Sequence, residues 1–390
     1  MLHLDNLYLD NAATTPVRRE VLDAMLPFLT SEFGNPSSHH SIGERAAAAL
    51  ADARAAVARA LGMRQNDVVF TSGGTEANNL AIKGIGIAAQ LGRDAGHIVT
   101  TPIEHESILA SVDYLRRLHG FRVSELPVDG HGRVDPDDLA AVLRDDTALV
   151  TIGYANNEVG TIQDIPALAK IARARRVPIH IDAVQAAGWL DLSAADLGVD
   201  AISIAGHKIG APQGTGALAV RGRVPLEPLL HGGGQERGRR SGTESVAGAV
   251  ALATALTLAV ADREAAGARV ARTRDAFIAR VLSAVPSARL TGHPVYRLPG
   301  TASFTFAGTS GEAVLLGLER QGVVSSSGSA CAAGSDEPSH VLTALGIPAE
   351  VAQTSVRFTF PATYHDPIGA VTGDLADAVA AAVSAVGSAG

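Results

Sequence analysis

The sequence predicts an α/β protein built on a mainly parallel sheet with helices on both faces, and three observations carry that prediction. Short β-like runs, VVFTS (68–72), HIVTT (97–101), ALVTIGY (148–154), IHIDA (179–183) and AISIA (201–205), recur along the first half of the chain. Between them lie Ala/Leu/Arg-rich segments of helical period, such as GERAAAALADARAAVARALG (43–62) and IPALAKIARARR (165–176). Alternation of this kind builds parallel sheets covered on both sides. Finally, the polar and Gly-rich stretches follow the apolar runs directly, and ligands of such folds gather at the carboxyl ends of strands.

Length and composition bound the organisation. With 46% hydrophobic residues, the 390-residue chain can bury a large core and divide into two domains. From Thr243 to Val285 one long helical pattern runs, linking a large domain to a smaller C-terminal one, with the boundary near residue 263. Within it, Val246 to Val260 is apolar over a length short of the roughly 20 residues that span a membrane, so it reads as a buried helix. A net charge of −8 gives no electrostatic reason to expect nucleic-acid binding. The start, MLHLDNLYLDNAATTP, carries acidic residues and no apolar run of a signal peptide. The single cysteine, Cys331, cannot close an intramolecular disulfide. Both features predict a reducing cytoplasm and no membrane.

Cys331 stands in SSSGSACAAGSDEPSH (325–340). A free cysteine is most often a small buried hydrophobe. Here Ser, Gly and Ala on one side and Gly334, Ser335 and Asp336 on the other describe a solvated loop, on which a thiol is accessible.

The run at 68–72 leads into SGGTEANN (72–79) and then a helix. Gly73 and Gly74 allow a tight turn, and Thr75 opens the helix with unpaired N–H groups and the positive end of the dipole, a site for a phosphate. A plain glycine turn is an equal alternative, since the motif is neither a Walker loop nor GxGxxG. Further on, HIDAVQ (180–185) places Asp182 at a strand end with Gln185 three residues later, and AGHKIGAPQG (205–214) supplies Lys208. An Asp–Lys ion pair is the structural alternative. The functional reading is pyridoxal 5'-phosphate (PLP): a lysine forms a Schiff base with its aldehyde, and a carboxylate keeps the pyridine nitrogen protonated so that the ring acts as an electron sink.

With these motifs in place, the chain resembles a cysteine desulfurase of the NifS/IscS class. The similar segments run in family order through YLDNAATTP (8–16), FGNPSSHH (33–40), FTSGGTEANNLAIKG (70–84), EHES (104–107), NNEVGTIQDI (156–165), HIDAVQ, GHK, HGGGQERGRRSGT (231–243), SSGSACAAG (326–334) and SVRF (355–358). The resemblance implies the aspartate aminotransferase-like fold of PLP-dependent transferases. Its large domain, residues 16–262, would hold a mainly parallel seven-stranded sheet; a smaller α+β domain, residues 1–15 with 263–390, would carry the Cys331 loop.

The resemblance also implies roles. Lys208 matches the Schiff-base lysine and proton shuttle, Asp182 the pyridinium partner, and Gln185 the hydrogen bond to the phenolic oxygen. His105 matches the histidine stacked on the ring, and Thr75, the Gly74 backbone and His207 match the phosphate cradle. Thr243 resembles the residue that reaches the neighbouring subunit's phosphate, which implies a homodimer. Asn156 and Arg357 match the pair that holds the substrate carboxylate. No metal ligands are implied. L-cysteine would be converted to alanine, its sulfur attacked by the Cys331 thiolate to leave a persulfide for a sulfur-acceptor protein. The loop resembles the long-loop branch, which implies activity without an activating partner. The rival readings are a selenocysteine lyase or cysteine sulfinate-type enzyme, a slow sulfur carrier, and a simple aminotransferase.

Three features depart from the family pattern. Ala205 replaces a serine two residues before His207, removing one hydrogen bond to the phosphate, of the order of 1.5–3 kcal/mol. TFPATYHDP follows SVRF in place of a Gly-containing continuation. The chain ends at Gly390 without the polar extension that housekeeping members use toward a scaffold, which leaves iron–sulfur cluster assembly, tRNA thiolation and DNA phosphorothioation open as destinations of the sulfur.

Overall fold

The computed structural model describes residues 7–327, 337–364 and 370–387. Cys331 lies outside the described residues. Seven strands hydrogen-bond in the order Val68–Thr71, Gly216–Val220, Ala201–Ala205, Ile179–Asp182, Thr147–Gly153, His97–Thr100 and Arg122–Glu125. Gly216–Val220 alone runs antiparallel to its neighbours, so the mainly parallel seven-stranded sheet is borne out. Its central strands are mainly apolar and buried up to Gly153 at the end of one of them, as expected where helices cover both faces.

The helices form where the sequence period and the caps agree. Ser41–Ala60 turns Ala46, Leu50, Ala53 and Val57 inward at helical spacing. Ile165–Ala174 starts at Asp164, whose side chain accepts from Ala167 N, and carries Pro166 in its first turn. Val246–Ala284 is a single helix of 39 residues, capped by Ser245. Among the described residues it is the one helix long and apolar enough, by length and composition, to cross a membrane. Here Ala251, Leu252, Ala255 and Leu256 are buried in the large core, while Val270, Phe277 and Val281 enter a second one. Residue 263, the expected boundary, falls inside this helix.

The second core packs on a three-stranded antiparallel sheet, Ala288–Leu290, Thr301–Phe306 and Ser355–Thr359. Phe277 meets Phe304, Phe358 and Phe360 edge to face, the arrangement aromatic rings prefer. Leu7–Tyr8 pairs in parallel with Val323–Val324, and Asp10 bridges Thr359, so the N-terminal segment is held by the C-terminal third of the chain. The segment then crosses the carboxyl edge of the large sheet, where Thr15 N donates to His207 O.

Candidate active site

Loops from the carboxyl ends of the parallel strands converge on a cavity of about 350 Å3. Gly74, Thr75, His105, Asn156, Asp182, Gln185, His207, Lys208 and Arg357 all line it. Thr243 does not; it is exposed in the segment leading to the long helix.

Asp182 closes the strand Ile179–Asp182. Its carboxylate accepts from Asn78 Nδ2 at 2.7 Å and from Val184 N at 2.9 Å, two donors that fix its orientation. Asn78 also donates to Ser107 Oγ, and its own Oδ1 is buried without a partner. Lys208 ends the 3-10 turn that follows Ala201–Ala205. Its Nζ donates to the carbonyls of Ala12 and, at 2.7 Å, Ala13. Gln185 Nε2 reaches the same Ala12 carbonyl at 3.0 Å, so the N-terminal segment forms one wall of the site.

His105 caps the helix Glu106–His119. Its Nδ1 accepts from Ser107 N at 3.0 Å, which places the proton of the neutral ring on Nε2. His207 is pushed down to about 4 by burial and by the positive charge of Lys208, so it is neutral at pH 7. At the glycine turn Gly73 adopts φ 156°, ψ −178°, a conformation reserved for glycine, and leads directly into Gly74–Asn79. That short helix continues through a π-turn, Leu80–Gly84, into Ile85–Arg93, giving one helical stretch whose N-terminus faces the cavity.

Arg357 sits in the middle of Ser355–Thr359 and is 2% exposed. Its Nη2 pairs with Asp10 Oδ1 at 2.6 Å and its Nη1 donates to Asn157 O at 2.9 Å. The Asn156 side chain serves its own turn: Oδ1 accepts from Glu158 N and Val159 N, and Nδ2 donates to Ile103 O.

Both ends of the 328–336 segment are anchored at this cavity. On one side Ser326 exchanges two main-chain hydrogen bonds with Arg357, and Ser355 Oγ donates to Ser327 O. On the other, Ser339 Oγ donates to Glu158 at 2.5 Å, and His340 Nε2 lies 3.0 Å from Glu104 O. Sequence reasoning missed Asn78, Asp10, Glu104 and His340. Each lies inside a quoted motif or beside the loop, but only the packing of distant segments gives it a partner.

A lysine and an aspartate at neighbouring strand ends, a glycine turn opening a helix, and an arginine from the second core define an enzyme of the aspartate aminotransferase-like fold. The chain belongs to the class-V aminotransferase family, whose profile matches residues 7–365. Among its relatives, a protein named cysteine desulfurase IscS from Dictyoglomus turgidum is 46% identical over 90% of this chain and 89% of its own length. A second of that name, from Methanosarcina thermophila, is 47% identical over 90% of this chain and 86% of its own. A solved NifS-like protein superposes with a TM-score of 0.89 at 33% identity, covering 98% of this chain and all of the other.

Proposed function

We infer that this chain is a cysteine desulfurase: it converts L-cysteine to L-alanine and takes the sulfur onto Cys331 as a persulfide. The observation that carries the reading is the convergence of Lys208, Asp182, His105 and Arg357 on one cavity from which the Cys331 segment departs and to which it returns. From Ser327 to Cys331 is four residues, a chain length of at most about 14 Å. The thiol is thus tethered within reach of the cavity.

The residues present fit PLP. A side chain built on Gly73 would meet nothing within 4 Å, which leaves its turn open to a phosphate. An oriented carboxylate, a lysine amino group and the unpartnered Asn78 Oδ1 line the same space. Lys208 would anchor the cofactor, Asp182 hold its ring nitrogen and Gln185 its phenolic oxygen. His105 would lie against the ring, and Gly74, Thr75 and His207 would bind the phosphate. When bound, the cofactor supplies an electron sink that labilises bonds at the substrate's α and β carbons.

The protein's own groups do the rest. Lys208 Nζ, oriented by the Ala12 and Ala13 carbonyls, moves the proton between carbons. His207 contributes a hydrogen bond to the phosphate, and Ala205 contributes none. Arg357 and Asn156 receive the substrate carboxylate. The Cys331 thiolate, the competent form of the nucleophile, attacks the substrate sulfur. The Cβ–S bond breaks, an S–S bond forms on Cys331, and the electron pair left on carbon takes up a proton to give alanine. The persulfide then passes to a sulfur-acceptor protein, in iron–sulfur cluster assembly, tRNA thiolation or another sulfur-incorporating route. Exposed Thr243 suits a role across a homodimer interface, at the phosphate of the second subunit, and we place the enzyme in the cytoplasm.

The test mixes the purified protein with L-cysteine and a reductant and follows alanine and sulfide. Both are expected at equal rates, with one extra sulfur atom on Cys331 by mass spectrometry before reduction. Cys331→Ala is expected to lose sulfide release while keeping the cofactor's absorbance near 420 nm. Sulfide release unchanged by that substitution would remove the thiol from the reaction.

A further inference from the structure

One buried acid of the cavity has no part in the scheme above. Glu104 is 4% exposed and lines the cavity beside His105. Its Oε2 accepts from Gly153 N at 2.7 Å, and its Oε1 lies 2.7 Å from Thr101 Oγ1. Gly153 is the register partner of Asp182 on the next strand, so two carboxyl groups stand one strand apart beneath the same cavity.

The charged groups around Glu104 are accounted for elsewhere. Lys208 is held by the Ala12 and Ala13 carbonyls, and Arg357 by Asp10 and Asn157. Among the described residues, His340, from the helix His340–Ala344, meets the main-chain carbonyl of Glu104 and, at 3.9 Å, the carboxylate of Glu106. Glu158 is bonded to Ser339, and His105 to Ser107. Among the described ion pairs none includes Glu104. An ionised carboxylate without a cation is costly in such a place, and two in one dry site repel. The protonated form keeps the bond from Gly153 N on one oxygen, and the Thr101 hydroxyl, which donates to the carboxylate, can turn to accept the carboxyl proton instead. Asp182 has the opposite surroundings: among the described residues its carboxylate meets two donors.

We propose that Glu104 is a positioning residue held as a neutral carboxylic acid, so that Asp182 carries the only negative charge beneath the cofactor ring. The proposal rests on the reading of Asp182 as the ring-nitrogen partner, but the protonation of Glu104 can be measured without the cofactor. Burial raises the Glu104 carboxyl to about 8; Asp182 adds to the rise, and the Thr101 and Gly153 hydrogen bonds oppose it. A folded state that holds this proton while the unfolded chain releases it near 4.5 loses stability as pH rises from 4.5 to 8 and no further above that.

The test uses Glu104→Gln, which keeps the shape and neutrality, and reads three quantities. In the cofactor-free protein at pH 7, infrared spectra with isotope-labelled glutamate are expected to show a protonated carboxyl band that Glu104→Gln lacks; the wild-type band is readable even if the variant folds poorly. The Tm of Glu104→Gln minus that of wild type is expected to grow between pH 5 and 8 and then level. In the loaded enzyme the cofactor Kd of wild type is expected to rise about tenfold, the equivalent of one pKa unit, as Glu104 ionises above pH 8, while that of Glu104→Gln stays flat. Absence of the band, or a Tm difference independent of pH, would overturn the neutral acid. A band with no change of Kd above pH 8 would overturn its effect on Asp182. If Asp182→Asn left cofactor binding unchanged, the reading of Asp182 would fail while the protonation of Glu104 stood.

Discussion

Arg357 carries a buried positive charge, and what answers it is not substrate but Asp10, 347 residues away in sequence. The pair fastens the N-terminal segment to Ser355–Thr359 at the point where that segment supplies the carbonyls for Lys208. Two consequences belong to Asp10→Asn. The guanidinium keeps its hydrogen bond to Asn157 but loses the Asp10 charge, so stability should fall by about 3 kcal/mol, the range for breaking a buried pair from one side. If Arg357 receives the substrate carboxylate as proposed, it would then be held less firmly in that pose, and KM for cysteine should rise more than kcat falls. Denaturant titration and steady-state kinetics read the two effects separately; a stability loss with KM unchanged would leave Asp10 a purely structural partner. The same residue marks what the sequence conceals. Lys208 and Asp182 stood out because each lies in a motif that follows an apolar run; His105 was reached through the family resemblance alone. Asp10 and Asn78 did not stand out, because their significance is a partner that only folding brings near.

Among the elements, the strands legible in the sequence are those with alternating or continuous β-branched residues: all five expected runs form strands within a residue or so of the expected limits. Two strands of the same sheet left no clear signal. Arg122–Glu125 is an edge strand with exposed ends and little apolar content. Gly216–Val220, sequence GALAV, has the composition of a helix; tertiary placement between two other strands decides its state. The glycine opening that strand has a use that composition does not reveal. A side chain on Gly216 would stand 2.6 Å from Gly73 Cα, 2.7 Å from Gly73 C and 2.9 Å from Ile204 O, all backbone atoms. The strand thus presses against the turn read as the phosphate cradle. Gly216→Ala should displace that turn, lowering stability by roughly 1–3 kcal/mol as overpacking does and weakening cofactor retention on dialysis. Full retention in a stable Gly216→Ala protein would mean that the turn does not hold the phosphate.

At the scale of the whole molecule, buried groups that refuse or retain protons shape stability against pH. His180 is fully buried in the large sheet, with Nδ1 2.8 Å from Thr151 Oγ1 and Nε2 2.8 Å from Ser203 Oγ on the two flanking strands. Burial drives its pKa down to about 3, and burial with Lys208 drives His207 to about 4. Below pH 6.5 the unfolded chain binds protons that folded His180 and His207 refuse, and His97 and His293, which burial also lowers, add to the effect, so stability falls as pH falls until the folded values are reached. Each such proton contributes a slope of at most about 1.4 kcal/mol per pH unit. Glu104 acts with the opposite sign, lowering stability as pH rises from 4.5 to 8. Between 4.5 and 6.5 the lowered histidines outweigh one glutamate; from 6.5 to 8 the loss of the Glu104 proton is the opposing contribution. The Tm of the cofactor-free protein should therefore peak near pH 6.5. His180→Gln should lower that peak, since the Thr151 and Ser203 hydroxyls lose a well-placed partner at a cost of about 1–3 kcal/mol. It should also flatten the acid limb, because one of the refused protons is gone, and move the maximum to lower pH. Thermal melts of both proteins from pH 4 to 9 decide the matter: an acid limb equally steep in wild type and His180→Gln would show that the histidine bridging the three central strands does not set the acid sensitivity of the fold.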